Sequence, residues 1–192
     1  MDEAYEIGLI SDFDSISTFL CGVKPMDDFI HSELEVYTKN HYCSAYYVKS
    51  KSNDELAAIF ALSFDSLVLD PDDFDDMNTG ASETDRPDVD ELYRTRFEEK
   101  SVYPALEIAY LAVDRKFQAR HLGTAIVDEI VKYAKAQTLA GCVFLTVKAY
   151  HTSEYSAFSF YQKCRFARLT ATPRGEVWPM SKTLWYEEDD ES

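Results

Sequence analysis

The 192-residue chain has little positive charge: 19 Lys and Arg side chains stand against 35 Asp and Glu, for a formal net charge of −16. A broad nucleic-acid-binding surface needs clustered basic side chains, so this balance argues against one. Residues 70–100 hold 12 acidic and 4 basic side chains, and residues 187–191 are all acidic, so these segments carry 13 of the 16 net charges. We expect both segments to be solvated; an acidic surface that recruits a cationic substrate is the alternative.

Long hydrophobic runs are also missing. No apolar stretch reaches the roughly 18 residues that a membrane-spanning helix needs, and the acidic N-terminus lacks the basic region of a signal peptide. The four cysteines show no paired metal-ligand spacing, so we predict no metal site and, in the expected cytoplasmic location, reduced thiols. The length predicts a single domain over residues 1–192, with an acidic insertion at about 70–100 and an acidic tail at 187–192.

A strand, a turn and a helix N-terminus follow one another in residues 111–139, LAVDRKFQARHLGTAIVDEIVKYAKAQTL. The first N–H groups of a helix have no acceptor within it and lie at the positive end of its dipole, so they bind anions. Gly123 lacks a Cβ and lets a ligand approach the backbone. The spacing Arg-x-x-Gly-x-Ala, from Arg120 to Ala125, matches neither a Walker loop nor G-x-G-x-x-G. An ordinary strand-to-helix turn is the alternative.

A second motif, AFSFYQKCRF at residues 157–166, follows after a strand-like run. Together the two motifs resemble the GNAT (Gcn5-related) N-acetyltransferases, which carry Gln/Arg-x-x-Gly-x-Gly/Ala and then Ala-x-x-Phe-Tyr-x-Lys-x-Gly-Phe. The positions that match in the second motif are Ala157, Phe160, Tyr161, Lys163 and Phe166. Arg165 departs from the family glycine, which commonly caps the helix in a left-handed conformation, so we expect this helix to end differently.

The apolar periodicity predicts the order β-α-β-β-β-α-β-α-β-β. This order fits a mixed α/β (α+β) chain with a mostly antiparallel central sheet flanked by helices on both faces, which is the fold that the GNAT resemblance implies. Among the predicted helices are a short one over residues 12–21, one over 26–39, one over 122–138 and one over 153–163. A further short helix is predicted over 90–100.

The resemblance implies acetyl-CoA as co-substrate. In the family, loop amides hold the CoA pyrophosphate and a strand edge pairs with the pantetheine arm. Carried onto this chain, the implied contacts are Leu111, Ala112, Val113, Gln118, Ala119, Arg120, His121, Leu122, Gly123, Thr124, Ala125 and Tyr161. The resemblance also makes Tyr161 the general acid for the departing thiolate. A phenol has an ordinary pKa near 10, so it keeps its proton at neutral pH and can donate a hydrogen bond, or a proton, to the forming thiolate. A core tyrosine is the alternative.

Glu107 is the candidate general base. A carboxylate inside an otherwise apolar strand needs a partner or a cavity, and in histone-type GNAT enzymes a glutamate at this strand position activates the acceptor lysine. The alternative is a strand glutamate that faces solvent. Tyr110 and His151 are secondary candidates, His151 as a proton relay.

The sequence therefore predicts an N-acyltransferase that moves an acetyl group from acetyl-CoA to a primary amine of a small molecule, peptide or protein by direct attack in a ternary complex. One alternative is a toxin-like enzyme that acetylates aminoacyl-tRNA, because residues 19–22 and 26–30 resemble the branch with such toxins. That reading needs a basic patch from Lys39, Lys49, Lys51, Arg115, Lys116 and Arg120. The other alternative is a non-catalytic CoA-binding interaction domain. We expect no membrane partner, and a homodimer stays open.

Overall fold

The computed structural model describes residues 4–70, 72–74 and 91–184. The predicted tail at 187–192 and most of the predicted acidic insertion lie outside these residues. The strands are β1 (Tyr5–Leu9), β2 (Ser44–Ser50), β3 (Leu56–Val68), β4 (Val102–Val113), β5 (Phe144–Tyr150), β6 (Ala167–Arg168) and β7 (Val177–Thr183). The helices are α1 (Lys24–Ser32), α2 (Leu34–Lys39), α3 (Glu91–Glu98), α4 (Leu122–Ala136) and α5 (Phe158–Lys163). The predicted mixed α/β class is confirmed.

The chain divides into two compact units, one of residues 1–63 and 108–130 and one of residues 64–107 and 131–192. In the first unit the strand order is β1-β2-β3-β4, and both β1–β2 and β2–β3 are antiparallel. In the second unit the order is β3-β4-β5-β7-β6. There β4 and β5 pair in parallel from Ala105–Phe144 to Glu107–Thr146, whereas β7 is antiparallel to β5 and to β6.

The core of the first unit is an apolar cluster in which α1 and α2 pack on the strands. Burial of each large aliphatic side chain in it contributes about 1.5–3 kcal/mol. Tyr110 belongs to this cluster: its ring stacks on Phe29 at 5.3 Å, and its hydroxyl donates to the carbonyl of Met26 at 2.7 Å. This secondary candidate therefore has a packing role. The buried members are Ile10, Ile16, Phe19, Cys21, Ile30, Leu34, Cys43, Ala45, Ile59, Ala61, Tyr110 and Ala112.

The second unit has its own apolar cluster on one face of β3, β4 and β5. Phe97 of α3 packs there at 4.5 Å from the ring of Tyr103, measured between centroids. The Tyr103 hydroxyl donates to the carbonyls of Phe97 and Lys100, which fixes the end of α3. The buried members are Leu67, Leu69, Phe74, Phe97, Tyr103, Ala105 and Phe144.

Three predicted helices have the wrong extent. Over residues 12–21 only a 3-10 turn at Asp14–Ile16 forms, because the Asp12 carboxylate accepts the N–H of Asp14 and the Ser15 hydroxyl bonds to a local carbonyl. The predicted helix over 26–39 divides at Glu33, whose φ of −124° and ψ of −29° leave the helical region. None of the helices within the described ranges is long and apolar enough to cross a membrane.

The third misjudged helix begins at Phe158 instead of residue 153. Before it, the Thr152 hydroxyl oxygen accepts the N–H groups of Glu154 and Tyr155, and His151 and Ser156 form an isolated β-bridge. These local bonds give the backbone an alternative to a helix. The segment 151–156 is therefore a tight loop that leads into α5.

Candidate active site

The loop between β4 and α4 has an unusual backbone. After the 3-10 turn Arg115–Phe117, Ala119 has a φ of 58° and His121 a φ of 60°, both in the left-handed region. Each non-glycine residue there costs about 1–2 kcal/mol, so the surrounding structure must hold this conformation. Strain of this kind concentrates at binding sites, where the backbone must present its polar groups in a set direction.

The loop ends at the N-terminus of α4, a 15-residue helix. Its first intrahelical bond runs from the N–H of Ala125 to the carbonyl of His121, at 3.1 Å. The N–H groups of Leu122, Gly123 and Thr124 precede that bond and so have no acceptor inside the helix. Gly123 and Thr124 are partly exposed, and Arg120 and His121 are exposed. The arrangement provides backbone donors and a positive dipole end for an anion.

The segment Leu20–Gly22 supports this loop within the first unit. The Leu20 carbonyl accepts the N–H of Arg115 at 3.0 Å, and the Leu20 N–H donates to the Asp114 carboxylate at 3.3 Å. The Gln118 side-chain amide donates to the carbonyls of Cys21 at 2.8 Å and Val113 at 3.0 Å. The side chain of Gln118, predicted to contact the co-substrate, is thus a support that joins the strand end to the loop.

Asp27 in turn holds Leu20–Gly22 in place. Its carboxylate accepts the N–H groups of Cys21 at 2.7 Å and Gly22 at 3.0 Å, although only 8% of the residue is exposed. Burial disfavours the charged form, but the hydrogen bonds from Cys21 and Gly22 outweigh it and lower the pKa of Asp27 below its ordinary 3.8. The sequence signal was available: a carboxylate three residues before Ile30, on the apolar face of α1.

The strand residues predicted to pair with the pantetheine arm lie at the end of β4. Ala112 is buried in the core of the first unit, whereas Leu111 and Val113 are half-buried. The Val113 carbonyl accepts the Gln118 amide. The structure thus brings this strand end and the loop together in the first unit.

Tyr161 lies in the second unit, 5% exposed, on α5. Its ring meets the edges of Phe160 at 4.9 Å and Phe166 at 5.4 Å between centroids. Burial raises the pKa of the Tyr161 phenol far above its ordinary value of 10. The hydroxyl therefore stays protonated at every physiological pH and can donate a hydrogen bond.

The end of α5 corrects the prediction for Arg165. Arg165 has a φ of 63°, the left-handed conformation expected of the family glycine. Its N–H bonds to the Gln162 carbonyl at 2.9 Å, and the N–H of Phe166 bonds to the Tyr161 carbonyl at 3.0 Å. This pair of bonds is a Schellman motif, in which Phe166 packs on Tyr161. The Lys182 ammonium donates to the Cys164 carbonyl at 2.9 Å and completes the cap.

Glu107 is 17% exposed at its side chain and forms an ion pair, Oε1 to Lys148 Nζ, at 2.8 Å. The hydrogen bond to Glu107 and the charge of Asp65 raise the pKa of Lys148. Beside this pair, the Thr146 hydroxyl donates to the Asp65 carboxylate at 2.6 Å. No group of three His, Cys, Asp or Glu across residues 4–70, 72–74 and 91–184 is arranged to hold a metal ion.

His151 is half-buried, with Nδ1 2.8 Å from the Ser156 hydroxyl and its ring edge-on to Trp178 at 6.1 Å. The isolated bridge between His151 and Ser156 fixes the start of the loop that precedes α5. These contacts give His151 a structural role in this loop.

A cleft of about 540 Å³ lies beside the loop in the first unit. Three of the six residues of the predicted basic patch line it: Lys51, Lys116 and Arg120. The other three lie in other contacts, because Lys39 pairs with Glu35 at 2.6 Å, Lys49 pairs with Asp54 at 3.7 Å, and the Arg115 guanidinium packs on Gly22. The remaining lining residues are Ala4, Tyr5, Ser50, Ser52, Asn53, Glu55 and Phe117.

Three solved structures illustrate what the chain is similar to. A bacterial toxin has 19% identity and a TM-score of 0.67, with 94% of this chain and 90% of that chain covered. AtaTR bound with acetyl-CoA has 16% identity and a TM-score of 0.65, with 95% of each chain covered. AtaT complexed with acetyl-methionyl-tRNA has 16% identity and a TM-score of 0.63, with 91% and 93% covered. At these identities the likeness shows the fold.

No curated protein matches the chain in sequence. A family model, Acetyltransferase (GNAT) family, matches residues 80–166, which include the loop, α4 and the Phe160-Tyr161 motif. The strained loop and the helix N-terminus belong to the first unit, and the capped helix that carries Tyr161 belongs to the second. Residues 80–166 therefore match the GNAT acetyltransferase family, and the chain has the fold of the solved structures above.

Proposed function

We propose that the protein transfers the acetyl group of acetyl-CoA to a primary amine, by direct attack in a ternary complex. The observation that carries the proposal is the loop at residues 118–125. Two left-handed residues, Ala119 and His121, turn the backbone into α4, whose leading N–H groups have no helical acceptor. A diphosphate matches this set of donors, and Gly123 permits close approach.

In this proposal the amides of Leu122, Gly123 and Thr124 hold the CoA pyrophosphate, with Ala125 as the small residue that the family motif requires. Gln118 and Arg120 frame the loop, and the backbone of Leu111, Ala112 and Val113 pairs with the pantetheine arm. AtaTR, which shares the fold, has been solved bound with acetyl-CoA. The fit of acetyl-CoA to this chain rests on the leading N–H groups of α4, which have no acceptor within the helix.

The chemistry needs a neutral amine and a protonated leaving group. We assign Glu107 to take the proton of the incoming ammonium, once Lys148 has moved from its carboxylate. The amine nitrogen then attacks the thioester carbonyl carbon, the nitrogen releases its second proton to solvent, the carbon–sulfur bond breaks, and the sulfur leaves as a thiolate. Tyr161 donates a proton or a hydrogen bond to that sulfur, consistent with its neutral, buried hydroxyl. The products are an amide and CoA.

The test of the proposed acid is the rate of CoA release with a panel of primary amines. Tyr161→Phe keeps the ring and its packing and removes the hydroxyl, so we expect kcat to fall about a hundredfold. Tyr133→Phe is the matched control, because Tyr133 is 57% exposed on α4. Full activity of Tyr161→Phe would remove the acid from the mechanism.

Glu107→Gln tests the proposed base in the same assay. The substitution keeps the shape of the side chain and removes its ability to accept a proton, so we expect kcat to fall about a hundredfold while the Kd of acetyl-CoA is unchanged. An unchanged kcat would assign proton removal to solvent or to another group.

One observation favours a second acceptor class, aminoacyl-tRNA. AtaT, which shares the fold, has been solved with acetyl-methionyl-tRNA, and the cleft beside the loop presents Lys51, Lys116 and Arg120. The net charge of −16 opposes RNA binding. The amine panel therefore includes an aminoacyl-tRNA. Turnover with aminoacyl-tRNA alone, abolished by a Lys51→Glu and Lys116→Glu double variant, would replace the leading proposal.

A CoA-binding module without catalysis is the remaining alternative. Acetyl-CoA binding without CoA release, for every amine and for aminoacyl-tRNA, would favour it. An acetyltransferase and a non-catalytic CoA-binding module would use the same loop residues to hold CoA. Only a measurement of turnover distinguishes the two functions.

A further inference from the structure

One face of the sheet in the second unit changes from apolar to charged along the strands. Asp65, Glu107 and Thr146 lie two residues beyond Leu67, Ala105 and Phe144, which belong to the apolar cluster. Because side chains alternate in a strand, residues two apart share a face. The parallel register confirms the alignment, since Glu107 lies opposite Thr146 just as Ala105 lies opposite Phe144. Lys148 is the next residue on this face of β5.

The charged end of this face forms a connected cluster of four side chains. Lys148 Nζ lies 2.8 Å from Glu107, and Thr146 donates to Asp65 at 2.6 Å. Asp65 also acts on Lys148, because its charge contributes to the raised pKa of that ammonium. The cluster holds two carboxylates and one ammonium, so its four side chains sum to one negative charge, and a cationic ligand complements that charge.

A second observation at the same place is an unsatisfied hydroxyl. Ser181 is 1% exposed, and its Oγ has no hydrogen-bond partner among the described residues. Ser181 lies directly opposite Thr146 in the antiparallel β5–β7 pair, so the two side chains lie on the same face about 5 Å apart. A buried polar group without a partner is rare in folded proteins and indicates a bound water or ligand nearby.

We infer that Asp65 and Glu107 form the binding site for the acceptor as an ammonium ion, and that Lys148 occupies this site as an internal substitute in the absence of acceptor. The inference rests on the proposed acetyl transfer and adds its substrate class: primary amines with a second positive charge and no carboxylate. Asp65 is a specificity-determining residue, because it attracts the cation without taking part in proton transfer. Lys148 competes with the acceptor for Glu107.

The test uses three acceptors with the same four-carbon chain: 1,4-diaminobutane, n-butylamine and 4-aminobutanoate. Their binding to the full-length protein is measured by calorimetry in the presence of CoA, and their acetylation is measured by CoA release from acetyl-CoA. We expect the affinity to fall in that order. Asp65→Asn should raise the Kd of the diamine about tenfold. It should leave the Kd of 4-aminobutanoate and the KM for acetyl-CoA unchanged. Lys148→Gln should tighten the binding of the diamine severalfold.

The matched control is Lys24→Ala, which breaks an exposed ion pair with Asp28 in the first unit and should change neither readout. Equal affinities of the three acceptors, or a diamine affinity that Asp65→Asn does not change, would overturn the inference. Because binding is measured separately, these results do not depend on turnover. Failure of acetyl transfer with every amine, with selective diamine binding retained, would count against the proposed function alone.

Discussion

At the scale of single residues, three non-glycine residues hold left-handed conformations where the predicted motifs lie: Ala119, His121 and Arg165. The sequence predicted the two motifs because their chemistry is local, a small residue at a helix start and an aromatic pair on a short helix. It missed these conformations, because left-handed backbone is read from glycine or asparagine and these positions have neither. The conformation of Arg165 depends instead on Schellman bonds and on Lys182, which reaches the neighbouring Cys164 carbonyl from 18 residues along the chain.

Replacement of Arg165 by glycine should stabilise the protein. The left-handed backbone costs a residue other than glycine about 1–2 kcal/mol, and glycine avoids this cost. Glycine also loses more backbone entropy on folding, which offsets part of the benefit, so we expect the free energy of unfolding to rise by about 1 kcal/mol. Urea denaturation of Arg165→Gly measures it. The control Gln162→Gly, at an exposed position within α5, should cost about 1 kcal/mol. Two losses of equal size would contradict the Schellman assignment.

The sequence predicted that Glu107 has a partner but did not identify that partner. Its place on an apolar strand indicated that it needs a partner, and Lys148 is that partner. The identity of the partner was not readable, because it depends on the register of β4 against β5, 41 residues away. The same holds for Asp65, whose bond to Thr146 spans 81 residues. Long-range pairing of this kind is fixed by tertiary packing and has no local signal.

At the scale of elements, the loop before α4 is supported in two steps: Leu20–Gly22 binds residues 114–118, and Asp27 of α1 binds Cys21 and Gly22. The pattern around residues 19–30 suggested a family branch and no role. In the structure these residues support the loop before α4 through hydrogen bonds. Two of the three misjudged helices have a common cause, since polar side chains at 12–17 and 152–156 bond to nearby backbone.

Asp27→Asn should destabilise the protein by about 1–3 kcal/mol at pH 7, because a buried carboxylate that accepts two N–H groups is replaced by a weaker acceptor. The folded pKa of Asp27 is lowered, so its contribution is present above the ordinary value of 3.8 and is lost as the pH falls below that value. Denaturation across pH 3–7 should show the wild-type advantage shrinking toward the acid end. Asp28→Asn, an exposed neighbour, should cost less than about 0.5 kcal/mol at any pH. A difference that is constant with pH would contradict the assignment.

Gly123→Val tests the loop as an anion site. Valine has a higher helix propensity than glycine, so the stability of α4 should not fall. Its branched side chain blocks approach to the leading amides, and we expect the Kd of acetyl-CoA to rise more than tenfold in a calorimetric titration. Gly141→Val is the control, because a Cβ at Gly141 meets nothing within 4 Å. Equal acetyl-CoA affinity in both variants would place the phosphates elsewhere.

At the scale of the whole molecule, charge is the property that most separates the acceptor classes. The chain carries a net charge of −16, whereas the cleft beside the loop gathers Lys51, Lys116 and Arg120. The negative field of the whole chain attracts cationic acceptors and repels nucleic acid at low ionic strength. The overall charge and the α/β order were readable from the sequence. The sequence suggested six residues for a basic patch but not which of them meet at one cleft, since Lys51 lies far along the chain from Lys116 and Arg120.

Added salt should therefore weaken the recruitment of the diamine more than that of 4-aminobutanoate. The Debye length falls from about 14 Å to about 7 Å between roughly 50 and 200 mM salt, which screens long-range attraction. We expect the Michaelis constant for the diamine to rise severalfold over this range, while the constant for 4-aminobutanoate, which has no net charge, changes little. Steady-state CoA release measures both. A Michaelis constant for the diamine that does not change with salt would show that the field of the molecule does not recruit the acceptor.

The most direct test of the central claim is the release of CoA from acetyl-CoA by the wild-type protein with 1,4-diaminobutane, compared with Gly123→Val and Tyr161→Phe. We predict turnover by the wild type, recovery of Gly123→Val only at high acetyl-CoA concentration, and a low kcat for Tyr161→Phe at any concentration. Wild-type rates in both variants, or no turnover with any amine despite bound acetyl-CoA, would contradict it.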